Sequence, residues 1–258
     1  MPTVEDIAAA LAARTQPENT PDWDPVGLTL GDPGAVVETV AVCHEVTEDV
    51  VSRLESSPVD LLVSYHPLLF TPTTRIVAGR SAGARSYRLM RAGVSLLVTH
   101  TDFDAAAGGM ADSLAGFFRL RNIAVFGDDP ATGVPAIGRI GEFEGSLGTV
   151  DAMLVNQFGP AGLRVSGDRD LAVKSLAVVP GSGAGLIEAA ANVGAHALVT
   201  GDVSHHRSVA ALDLGLAIVD PGHTTTERPG MAALVKMVSD TAGFEVRDLT
   251  SVDPRTWD

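Results

Sequence analysis

Cysteine is nearly absent from this 258-residue chain: Cys43 stands alone. That excludes an intrachain disulfide framework, and its place in the apolar stretch VAVC marks it as a small buried hydrophobe. Long apolar runs are missing too. No stretch approaches the roughly 18 residues a membrane span needs, and the opening MPTVEDIAAALAART carries Glu5 and Asp6 where a secretory signal would be basic. A cytoplasmic protein without a membrane partner is expected. Basic residues are few, 18 Lys and Arg against 32 Asp and Glu, giving a net charge of −14. A nucleic-acid surface needs clustered cations to displace phosphate counterions, so no nucleic-acid partner is expected. No serine or cysteine sits in a nucleophile-elbow pattern, and there is no low-complexity tract.

What the chain does have is apolar bulk, 45% of residues with a mean hydropathy of +0.21, enough to bury a large core in one large domain or two small ones. From residue 37 onward, short Val/Leu/Ala-rich runs alternate with helical stretches, the signature of an α/β fold with parallel sheets. In a first block, ETVAVC (38–43), DLLVS (60–64) and GVSLLVT (93–99) read as strands, Thr47 with Glu48 and Asp49 as a helix cap and acidic first turn, and a helix is expected after Gly109. In a second, SLAVV (175–179), HALVT (196–200) and GLAIVD (215–220) are the strands, with helices near 184–193 and 204–214. The stretch from Arg121 to Gly148, rich in Gly, Pro and Asp, breaks the rhythm. The expected fold class is therefore α/β, two similar domains over 1–125 and 126–258, each a mainly parallel sheet flanked by helices.

Open parallel sheets bind ligands beyond the carboxyl ends of their strands, and six of the seven histidines cluster there. His44 follows the strand ending at Cys43, and Tyr65 and His66 the one ending at Ser64; His100, Asp102 and Asp104 follow the next; Asp202, His205 and His206, then His223 and Glu227, follow strands of the second block. Imidazole with carboxylate is the ligand set for zinc, manganese or iron, and His100 with Asp104, like His223 with Glu227, puts both donor types within five residues. If the second stretch is helical, the i, i+4 spacing places His223 and Glu227 on one face. His44 and His196 lack a nearby acidic partner in a suggestive loop and read as structural. One of His205 and His206 could reach the site, the other being a solvated or capping side chain. GSGAG (181–185) does not fit a phosphate-binding glycine pattern, and a tight turn is the better reading.

Five ordered segments make the chain resemble the NIF-three-like dinuclear metal-centre hexameric proteins, also labelled GTP cyclohydrolase I type 2 homologues. They are WDPVGLTLGD (23–32), YHPLLF (65–70), HTDFDAAAGGMAD (100–112), TGDVSHH (200–206) and GHTTTER (222–228). The resemblance implies two interlocked α/β domains, a homohexamer and divalent metal ions, here one or two per chain. It further implies His66, Asp104, His223 and Glu227 as metal ligands, with His100 as a catalytic acid, base or neighbouring group. Tyr65 departs from the pattern, standing where the family has the first histidine of a pair, and Pro25 and Asp102 stand where it has asparagine. A phenol with its usual pKa near 10 is a poor zinc ligand, so Tyr65 is expected to weaken one of the two metal positions. The expected function is a metal-dependent hydrolase of a small phosphorylated or heterocyclic substrate, with Arg228 meeting a substrate phosphate or forming a structural ion pair; the alternative is a non-catalytic metal-binding scaffold assembled as a ring.

Overall fold

The computed structural model describes residues 1–17, 20–128, 136–160 and 162–251. In chain order the elements are α1 (Val4–Thr15), β1 (Gly27–Leu30), β2 (Val40–Cys43), α2 (Glu48–Ser56), β3 (Leu61–Ser64), α3 (Ala82–Arg91), β4 (Ser95–Val98), α4 (Thr101–Ala105), α5 (Met110–Phe117), β5 (Arg121–Phe126), β6 (Gly138–Ser146), α6 (Leu147–Phe158), β7 (Arg164–Ser166), β8 (Ala172–Val178), α7 (Ile187–Asn192), β9 (Ala197–Val199), α8 (His205–Asp213), β10 (Ala217–Asp220), α9 (His223–Ala242) and β11 (Val246–Asp248). Every strand read from the apolar runs is present. Thr47 caps α2 by accepting the Val50 amide, with Glu48 and Asp49 in the positive first turn.

The chain forms two compact units, each with its own sheet. Among the described residues, the first comprises those of Met1–Phe103 and of Leu234–Ser251, and the second those of Asp104–Ala233. This division differs from a boundary at residue 125, and two packing facts explain it. Leu114, Ala115 and Phe118, on and just after α5, share a core with Phe143, Leu147 and Val150, which draws α5 into the second unit. After α9, β11 pairs in parallel with β2, Val246 opposite Val40, which returns the chain to the first sheet. Residues 129–135, in the Gly/Pro-rich stretch that suggested the boundary, lie outside the described residues.

The first sheet has the order β1-β4-β3-β2-β11, with β4, β3, β2 and β11 parallel and β1 antiparallel at one edge. Its inner strands β2, β3 and β4 are buried at every position, as expected of parallel strands covered on both faces. The second sheet, β5-β6-β8-β9-β10-β7, is less parallel than the sequence suggests: β8, β9 and β10 run together, while β5–β6, β6–β8 and β10–β7 are antiparallel. No described helix is long and apolar enough to cross a membrane.

A buried arginine stitches the second unit together where α4 ends. Arg139 on β6 donates from Nε to Asp112 Oδ1 (2.5 Å), from Nη1 to the carbonyls of Ala136 and Gly138, and from Nη2 to the Ala105 carbonyl (2.9 Å). It is only 3% exposed. Asp112 Oδ2 in turn accepts the Gly108 amide, so one ion pair orders the turn between α4 and α5. Replacing Arg139 with Met strands the Asp112 charge and three carbonyls, and urea unfolding should show a loss of about 2–4 kcal/mol. A change below about 0.5 kcal/mol would refute this role for the network.

Candidate metal centre

In the first unit, parallel pairing carries on past the strand ends: Tyr65 N–H donates to the Cys43 carbonyl (3.0 Å) and His66 N–H to the His44 carbonyl (2.8 Å). Adjacent rungs therefore deliver His44, Tyr65 and His66 to one sheet edge. Ser64 Oγ donates to the His66 carbonyl at 2.6 Å, closing the turn before Pro67. The His44 and His66 ring centroids lie 4.6 Å apart, and His100, beyond β4, stands 5.5 Å from both His66 and Tyr65. Tyr65 is almost fully buried, its ring near-parallel to His44 (16°, 5.5 Å) and edge-on to Phe103. His44, structural by the sequence reading, thus stands closer to His66 than His100 does.

Asp24 is a residue the sequence reading did not single out. Its buried carboxylate takes His100 Nδ1 at 2.9 Å through Oδ1, and the Thr101 amide (3.1 Å) and hydroxyl (2.5 Å) through Oδ2. Burial alone would raise this carboxyl. The His100 contact and the two Thr101 bonds outweigh burial and hold it below the usual carboxylate range. A carboxylate on Nδ1 selects the tautomer and ring orientation of His100. Asp102, which replaces an asparagine of the family pattern, is pushed up by burial while its Oδ1 accepts the His100 amide at 2.6 Å.

In the second unit the same strand-end logic builds a tighter cradle. His223 opens α9, its Nδ1 2.8 Å from Asp202 Oδ2 and its Nε2 2.9 Å from Glu227 Oε1, one turn along the helix. Glu227 is 1% exposed. The helix start is pinned by Thr226, whose hydroxyl accepts the Gly181 amide (2.8 Å) and donates to the His223 carbonyl (2.6 Å). Asp220, at the end of β10, accepts the amides of Val203 and Gly222 and a 2.6 Å bond from Arg164. The glycines here are close-approach positions: a Cβ on Gly201 would lie 2.6 Å from the His223 backbone, and one on Gly181 would lie 2.9 Å from Glu227 Oε1. In GSGAG the Gly181 and Gly183 amides are spent on Thr226 and Thr200, which makes the segment a turn.

A family model described as Duf34/NIF3 (NGG1p interacting factor 3) matches residues 2–254. The chain belongs to this family. It is 32% identical to a protein of Streptomyces coelicolor named GTP cyclohydrolase 1 type 2 homolog, over 99% of this chain and 94% of that one. Among solved structures it is similar to a Staphylococcus aureus hypothetical protein (TM-score 0.89, 22% identity, all of both chains). A Bacillus cereus protein related to NIF3 is also similar (TM-score 0.86, 21% identity, 100% of this chain and 99% of that one).

For this NIF3-family chain, the structure brings His66 together with His100 in one unit, and His223 with Glu227 in the other, while Asp104 is buried on α4. His205 and His206 lie exposed at the start of α8 with rings 5.5 Å apart. His196 sits at the amino end of β9, away from the strand ends that carry the other imidazoles. The Arg228 guanidinium lies over the Phe158 ring at 5.9 Å.

Burial opposes the charge on His223, but Glu227 and then Asp202 override it and push its pKa up to about 9. A raised imidazolium contributes its full stability below the unfolded value of 6.5 and loses it as pH climbs through 9. The metal-free protein should therefore lose up to about 2–3 kcal/mol between pH 6.5 and 9, read by urea unfolding in chelator. His223→Gln should flatten that profile, and an unchanged slope in the variant would refute the assignment. Because an ion must displace this proton, metal affinity should rise over the same interval.

Proposed function

We propose that the chain is a divalent-metal-binding protein acting as a hydrolase on a small heterocyclic or phosphorylated substrate. Each unit offers donors for such an ion, His44 and His66 in the first and Glu227 with Asp104 and His223 in the second, and the family resemblance implies His66, Asp104, His223 and Glu227 as ligands. The observation that carries the reading is the pairing of donors beyond parallel strands: two imidazoles 4.6 Å apart after β2 and β3, and an imidazole 2.9 Å from a buried carboxylate on α9. Such nitrogen and oxygen donors suit zinc, manganese or iron. When bound, a divalent ion supplies a water acidified toward a pKa of about 7.

The chain's own residues supply the rest. His100, held at Nδ1 by Asp24, takes and returns a proton at Nε2. Asp202 orients His223 as carboxylates orient metal-bound imidazoles in general. Tyr65 keeps the buried aromatic body of its position while supplying no imidazole, so one of two metal positions is weakened. A homohexamer follows from the family resemblance; the edge strand β5, with Ile123 and Val125 respectively 44% and 63% exposed, is a surface that such an assembly would cover.

Metal analysis should find clearly fewer than two tightly bound ions per chain, with Tyr65→His raising that number. His44→Ala and His223→Ala should each remove most of the bound metal while leaving the far-UV circular dichroism nearly unchanged, and full retention in either would sink that ligand. Substrate profiling on metal-loaded protein should reveal turnover that chelation abolishes. Retained metal without turnover on any nucleotide, pterin or phosphate ester would favour the non-catalytic scaffold. Light scattering should give six chains; a monomeric mass at micromolar concentration would exclude the ring.

A further inference from the structure

Beside the histidine cluster of the first unit stand two large aromatic side chains that the metal chemistry leaves unused. Trp23 and Phe70 are each 53% exposed, in a chain with only two tryptophans. Their ring centroids lie 6.1 Å apart in an edge-to-face arrangement, and Phe70 is 6.4 Å from His100, nearly perpendicular to it. Neither hangs on a loose segment. Trp23 immediately precedes Asp24, whose carboxylate is buried on His100 and Thr101 and whose amide closes a turn on the Pro21 carbonyl. Phe70 follows Leu68, which is buried in the first unit's core, and Leu69, which packs against it. The rings are thus anchored through their neighbours while their faces meet water.

We propose that Trp23 and Phe70 form a stacking face for a planar aromatic heterocycle, setting a nucleobase-like ring next to His100. A flat π-system gains from an exposed indole and phenyl whatever its edge pattern, whereas a sugar phosphate, which has no π-face, gains far less there. The proposal names the substrate class of the hydrolase reading and rests on it, because it places the substrate at the same imidazoles.

The test uses full-length Trp257→Phe protein loaded with metal, so that Trp23 is the single indole emitter. Guanosine 5′-monophosphate and adenosine 5′-monophosphate should each quench that emission saturably, while ribose 5-phosphate should not. Phe70→Ala should weaken nucleotide binding at least five-fold by equilibrium dialysis, Phe70→Tyr should restore it, and both variants should keep their metal. No quenching up to millimolar nucleotide, binding of ribose 5-phosphate equal to that of the nucleotides, or Trp23 emission that shifts with protein concentration alone, as a second copy covering the pair would cause, would each overturn the proposal. Saturable nucleotide binding without turnover would instead overturn the hydrolase reading and leave the stacking face standing.

Discussion

The arrangement depends above all on parallel strand pairing with the register held to the last rung. In the first sheet β2, β3 and β4 end level with one another, Cys43 opposite Ser64 and Ser64 opposite Val98. The next residues of each strand therefore leave the sheet at one edge. A slip of one residue would turn every side chain to the other face and would separate His44 from His66. What prevents it is the burial of these strands on both faces: twelve positions of β2, β3 and β4 are all inaccessible, so any shift would open voids in a close-packed core.

Holding polar groups at such an edge is costly unless each finds a partner, and the carboxylates show how the cost is met. Asp24 takes three hydrogen bonds and Asp220 three, and at the opposite, amino end of the first sheet Asp60 binds the Glu38 and Thr39 amides and the Thr39 hydroxyl in the same way. These are acceptors satisfied by backbone amides and by one or two side chains, which is what lets loops at the sheet edge keep a single geometry. Glu227 differs in kind. Its neighbour one turn back on α9 is the His223 imidazole, whose pKa rises to about 9 beside it, so an ion bound there would compete with that proton.

The parallel core strands were legible because Val/Leu runs of four to six residues bounded by Gly, Asp or Thr have few other readings. The edge strands were not. β5 is exposed over five of its six residues and kinked where Asn122 takes a positive φ, and β7 and β11 are three residues long, so none carries an apolar period. The domain division escaped the sequence for the same reason, since a three-residue strand decides where the C-terminal chain belongs. Among site residues, the His223–Glu227 pair follows from helical spacing alone. His44 had one legible signal, its place just beyond a strand, but its partner lies 22 residues away on the neighbouring rung. Asp24 and His100 are 76 residues apart, and no local pattern announces them.

Tyr65 ties these threads together. At a position whose side chain must fill the space between His44, His66, His100 and Phe103, a histidine would add a donor and a tyrosine adds bulk. The near-parallel stack on His44 restricts that imidazole to one plane, as a packed second ring does for any flat side chain. The residue that departs from the family pattern in sequence is thus the rigid neighbour of His44 in the structure. His44, read as structural because no suggestive loop pairs it with a carboxylate, is oriented by that same residue.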